Sequence, residues 1–303
     1  MHLTDVAREV TSWMDDDVIK KLFLVGLLSS SDSFWKSNDY WHARVETLSG
    51  LRVPFRQEVN WAQTHRMLRR CFETDPEADE YWIKEDNATV CEILRKLGYS
   101  ITPRILAYCC VHGSTKIFSY LTETASMNPS RVHYWCNEYH SVAMCVWHSQ
   151  PEVLKLLLKD SRVSLTIRGL LYGTVLSDAV GSRRLSMDAY GGVCTINTSE
   201  PSRQVEVVRL LLEDGRVAPT EEEFYHCNIP GIMSLLLADT RLDPTASNNM
   251  PLQQAISRKA TSVVRVLLAD ERVSKLVDRS TVELCRRCGT VAMMPLLLAL
   301  LQE

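Results

Sequence analysis

Two sets of thiol and imidazole side chains have metal-ligand spacing: Cys136, His140, Cys145 and His148 within 13 residues, and the C-x-x-C pair Cys285 and Cys288. Neutral imidazole and thiolate suit tetrahedral zinc, but a structural site takes four ligands and no second C-x-x-C accompanies Cys285. Cys109, Cys145 and Cys285 share one slot of a recurring helical unit where a small residue is expected, and a thiol there reads as a small buried hydrophobe. The carboxylate runs Asp15, Asp16, Asp17 and Glu221, Glu222, Glu223 both precede apolar helical patterns. Acids are favoured there by the positive end of the helix dipole, so they read as solvated helix starts. The chain has no Walker A loop, no G-x-G-x-x-G, no H-E-x-x-H and no G-x-S-x-G. Neither an enzyme nor a metal or other cofactor is expected.

The elements that carry these residues repeat. Residues 152–166 read EVLKLLLKDSRVSLT, 206–220 EVVRLLLEDGRVAPT, 231–245 GIMSLLLADTRLDPT and 262–276 SVVRVLLADERVSKL. In the second of these, Val207, Val208, Leu211 and Leu212 lie along one helical stripe, while Glu206, Arg209 and Glu213 face away. The Asp-x-Arg-Val/Leu segment that follows is polar and turn-forming, and Pro219 or Pro244 stops the helix. Counting back from the Glu206 slot, a small residue is expected seven positions earlier. Three positions earlier a glycine is expected, where a first helix ends with positive φ. Cys109 to Phe118 fits this template, as does Cys285 to Gly289 ahead of Met293 and Met294. A chain built of such units is an array, whose ordinary use is binding.

At these residues the chain resembles the ankyrin repeat family, with its pattern T-P-L-H-x-A followed by A-x-x-G-H-x-x-V-V-x-L-L. Met250 to Ala255 is the nearest match to the first half, with Pro251 at a helix start. One leucine per unit marks the register: Leu94, Leu121, Leu157, Leu211, Leu236, Leu267 and Leu297. The resemblance covers 85–303 as about seven degenerate units. It departs at Lys259 and Ser149, which stand where the family has Gly, at the short Gly231 unit, and at an insertion, Ser182 to Pro201, expected to be an exposed loop.

The first 84 residues lack the repeat and hold five of the seven tryptophans. Residues 1–48 resemble the F-box. Asp5 takes its acidic slot, Val6, Val10 and Met14 its first stripe after Leu3, Ile19, Leu22 and Val25 its second stripe, and Trp41 its closing tryptophan. Leu3 replaces the family's Pro, and Gly26 a frequent Cys. Residues 49–84 read as a linker region, a loop and then an amphipathic helix beginning near Trp61.

The predicted fold class is all-α, an ankyrin-type helical solenoid preceded by a small helical F-box-like module. The resemblances imply a protein–protein interaction adaptor, the substrate receptor of a cullin-RING (SCF-type) ubiquitin ligase. Leu3, Asp5, Val6, Val10, Met14, Ile19, Leu22 and Val25 would meet a Skp-type adaptor. The array would hold a protein target around Tyr134, Trp135, Tyr139, Arg162, Arg216, Arg241 and Arg272. Each of these arginines could instead pair with the aspartate two residues before it. A plain ankyrin scaffold, with the N-terminal module as a cap, is the alternative, as is a structural or host-interaction protein of a large DNA virus, where such combinations are common. Net charge is -3 and no basic block exceeds two residues, which favours neither nucleic acid nor an anionic membrane as partner. No stretch of 18 apolar residues or secretion signal is present, so an intracellular protein of cytoplasm or nucleus is expected, in the host cell if viral.

Overall fold

The computed structural model describes residues 38–72, 78–100, 102–134, 137–165, 174–181, 201–289 and 291–300. These divide into two compact units, 38–109 with 114–125, and 110–113 with 126–300. Among them no helix is long and apolar enough to cross a membrane.

In the first unit, α1 (Asn38–Ser49) packs on α2 (Trp61–Phe72), and α2 on α3 (Ala78–Lys84) and α4 (Ala88–Lys96). Helix α5 (Pro103–His112) follows, its last turn belonging to the second unit, and then α6 (Thr115–Ser119), which runs into a π turn at Tyr120–Thr124. The core is aromatic. Trp61 and Trp82 are wholly buried, and the Trp61 indole donates to Arg56 O at 3.0 Å and meets the His42 ring edge-on at 4.5 Å. The sequence boundary at 48 lies inside the last turn of α1.

The second unit contains α7 (Ser141–Trp147), α8 (Pro151–Lys159), α9 (Val175–Val180), α10 (Pro201–Asp214), α11 (Glu221–His226), α12 (Pro230–Ala238), α13 (Ala246–Ser257), α14 (Thr261–Leu268), the single turn α15 (Glu271–Ser274), α16 (Arg279–Arg287) and α17 (Met294–Leu300). They form two ranks. Helices α7, α9, α11, α13 and α16 each touch the next in that order, and so do α8, α10, α12 and α14, while each first-rank helix also packs on the second-rank helix that follows it. Apolar positions spaced i, i+1, i+4 leave α8, α10, α12 and α14 each with a stripe too wide to bury alone, and stacking covers it. All seven marker leucines are buried, none more than 1% exposed. Cys109, Cys145 and Cys285 are fully buried at the small-residue slot.

Two of the predicted helix ends that should turn with positive φ fall on non-glycine residues. Ser149 and Lys259 have φ of 50° and 61°, beside 80° at Gly113 and 68° at Gly289, and Asp86, which the sequence did not single out, turns likewise at 50°. An L-residue in the left-handed region costs about 1–2 kcal/mol, so the stacked neighbours impose the turn even where no glycine eases it. The Gly231 unit does have a shortened first helix, the six-residue α11, and leaves it through extended Cys227.

Among the described residues the all-α expectation holds, with one small addition: β1 (Arg131–Tyr134) and β2 (Asn137–His140) pair antiparallel, with Arg131 opposite His140 and Tyr134 opposite Asn137. One expectation is corrected. Glu223 is not a solvated helix start, although Glu221 and Glu222 are exposed. It is fully buried, because Thr174 and Ser177 hydroxyls donate to its Oε1 at 3.2 and 2.7 Å, and Thr220 N and Oγ1 to its Oε2 at 2.7 and 2.6 Å. Four donors offset the desolvation of the carboxylate and tie the start of α9 to the start of α11.

Candidate functional site

Leu3, Asp5, Val6, Val10, Met14, Ile19, Leu22 and Val25 lie outside the described residues, as do Trp135 and residues 182–200 of the insertion. Trp41 sits half-buried in the first turn of α1, 5.4 Å from the His65 ring. It lines a cleft of about 560 Å³ with Asn38, Gln57, Glu58, Val59, Asn60 and Ala62. Tyr134 ends β1 and Tyr139 lies in β2, so the backbone brings both to one hairpin.

The four arginines occupy four equivalent turns, each immediately after a second-rank helix. Arg162, Arg216, Arg241 and Arg272 each form an ion pair with the aspartate two residues earlier, Asp160, Asp214, Asp239 and Asp270, at 2.5–2.6 Å. These hydrogen bonds hold all four carboxyls below their ordinary range, while the aspartates raise the arginines. Each guanidinium also reaches back into the preceding unit. Arg162 donates to Met127 O at 3.3 Å. Arg216 donates to Val163 O at 3.1 Å and Leu158 O at 2.8 Å, and Arg241 to Val217 O and Leu212 O at 3.3 Å each. Arg272 donates to Leu237 O at 2.9 Å. Leu158, Leu212 and Leu237 lie in the last turns of α8, α10 and α12, where carbonyls have no donor within the helix and the dipole favours a cation.

A second polar joint lies where α7 passes into α8. Gln150 donates through Nε2 to Val111 O at 2.7 Å and accepts from Arg203 Nη2, whose Nε donates to Ser149 O at 3.1 Å. Gly113 suits the place beside it: its φ is +80°, and a Cβ there would lie 2.5 Å from Gln150 Oε1 and push that side chain off its partners. Beside this joint, burial, reinforced by the charge of His112, lowers His148 to about 4. Sequence reasoning missed Gln150 and Arg203, because nothing in their spacing marks an acceptor some 40 to 50 residues away.

Among the described residues no group of three or more His, Cys, Asp and Glu is placed to hold a metal ion. Cys136 lies outside them, Cys145 is in the core, and His140 caps α7 by accepting from Val142 N at 3.3 Å. Cys285 is buried and Cys288 half-buried. Burial pushes the Cys227 thiol up to about 12, which keeps it protonated and unreactive at neutral pH. No protein-family model matches the chain, and no curated protein matches it either.

Proposed function

We propose that this chain is a non-catalytic interaction adaptor, an ankyrin-type solenoid that holds a protein target while an F-box-like start recruits a Skp-type adaptor of a cullin-RING ubiquitin ligase. The observation that carries the first part is the pair of ranks with all seven marker leucines buried in register. Thr174 to Ala179, TVLSDA, adds a second match to T-P-L-H-x-A: Thr174 Oγ1 accepts from Ser177 N at 3.0 Å, the role of a threonine opening such a helix. The target surface we favour is the hairpin of Tyr134 and Tyr139 with the neighbouring turn tips. Arg162, Arg216, Arg241 and Arg272 are 38–47% exposed by side chain and can contribute only through donors left over from their internal bonds.

The ligase half rests on Leu3, Asp5, Val6, Val10, Met14, Ile19, Leu22 and Val25 and on Trp41 as the closing tryptophan. One observation favours the plain scaffold: α1 and α2 belong to the same compact unit as α3, α4 and α6, as a helical cap on the first pairs would. Affinity purification of the full chain decides between them. The ligase reading expects the Skp-type adaptor and target to co-purify, and Leu3→Asp with Val6→Asp to lose the adaptor but keep the target. A wild-type chain that retains a target and never the adaptor leaves the scaffold, viral or cellular.

A further inference from the structure

We infer that the Asp-x-Arg turns are clasps that join the described helices and turns between Met127 and Leu276 into one cooperative block, in which neighbouring units open together. In an array each unit touches only its neighbours, so cooperativity depends on the strength of each joint. Apolar stripes supply most of the joint's attraction, while directional polar bonds across it add to the coupling of one unit to the next. The guanidinium supplies such bonds. At the α10–α12 joint, Arg241 holds Asp239 of its own turn together with Leu212 O and Val217 O of the unit before. If the units slip, two carbonyls lose their donor and the carboxylate its partner.

The direction is the same at all four sites, from each unit to the one before it. The pattern also has limits. Residues 97–102 after α4 and 121–130 after α6 contain no aspartate, so no such turn precedes Asp160. Beyond Arg272 the pair α16 and α17 supplies no returning arginine, and Asp278 is used to cap α16 by accepting from Thr281 N at 2.9 Å. The block therefore begins at the Met127 acceptor and ends with the turn at Leu276. Because the arginines are 38–47% exposed, the charge pairs alone are worth little, and the clasp depends on the planar fork spanning carboxylate and carbonyls at once. Lysine, a single point charge, cannot do this.

The test is hydrogen exchange on the full-length chain, comparing wild type with Arg241→Lys, Arg241→Ala and the control Arg209→Ala, whose partner Glu206 lies on its own helix and otherwise meets Lys155 of α8, away from the α10–α12 joint. In wild type and in Arg209→Ala, the buried segments of α10 and α12 should exchange through one shared opening. In both Arg241 variants the two should separate, one opening about tenfold more often than the other, as expected for loss of a hydrogen bond to a charged group. Arg216→Lys should separate α8 from α10 in the same way, and decides the matter if an Arg241 variant does not fold. Lysine variants that behave as wild type would overturn the role of the fork. Exchange that stays shared in Arg241→Ala would overturn the clasp.

Discussion

Residues 38–125 and residues 126–300 join their helices by different means. In the first, each joint is singular: the rings of His42 and Phe55 gather on the Trp61 indole, Asn87 Nδ2 donates to Thr64 Oγ1 at 3.1 Å, and Asp86 reaches forward to accept from Lys116 N and Ile117 N at 3.0 Å. Even the small-residue slot is taken by a tryptophan, Trp82. In the second, one joint is made four times, by a buried leucine and an arginine that reaches back. A repeated joint spreads stability over equivalent contacts and can be interrupted at any of them, whereas a singular joint concentrates it in a few large side chains.

The sharpest way to break this comparison is to truncate one anchor in each region. Trp61→Ala should cost about 3–5 kcal/mol and Leu211→Ala about 2–5 kcal/mol, each lowering the chemical denaturation midpoint of its own unit and leaving the other near its wild-type value. A neutral Leu211→Ala would break the register. Gly113→Ala should cost roughly 2–4 kcal/mol, from the left-handed φ and the displaced Gln150 bonds, measured by the thermal midpoint.

Acid should separate the regions as well. The folded His148 titrates near 4 and the free imidazole near 6.5. As pH falls below 6.5 the unfolded chain takes up a proton that the fold excludes, so residues 126–300 should lose about 1–3 kcal/mol by pH 4. His148→Gln should flatten this part of the profile, as melts at pH 7.5, 5.5 and 4 would record. The clasp aspartates add a loss only at lower pH, as each is protonated on passing below its depressed value. The smallest expected effect is a gain: Lys259→Gly, at an exposed left-handed position, should stabilise the array by about 0.5–1 kcal/mol, the relief of φ exceeding the extra freedom of an unfolded glycine.

The repeated region was legible because its information is local. Leucines spaced to form a stripe, a small residue seven positions before the Glu206 slot and a turn three before it follow from helix geometry within one unit. They placed Leu94 through Leu297 and the turns at Gly113, Ser149, Lys259 and Gly289. The Asp-x-Arg pair was equally visible, since both partners lie in one turn. What only the tertiary structure decided is where these groups point beyond their own unit. The carbonyls of Leu158, Leu212 and Leu237 accept from the next unit's arginine, Glu223 is buried under donors from α9, Gln150 meets Val111, and residues 131–134 pair with 137–140 as strands. Residue types and periods specify a helix and the face it must cover. The partner of a polar group across a joint depends on which two turns the stack brings together, and spacing along the chain carries no record of that distance.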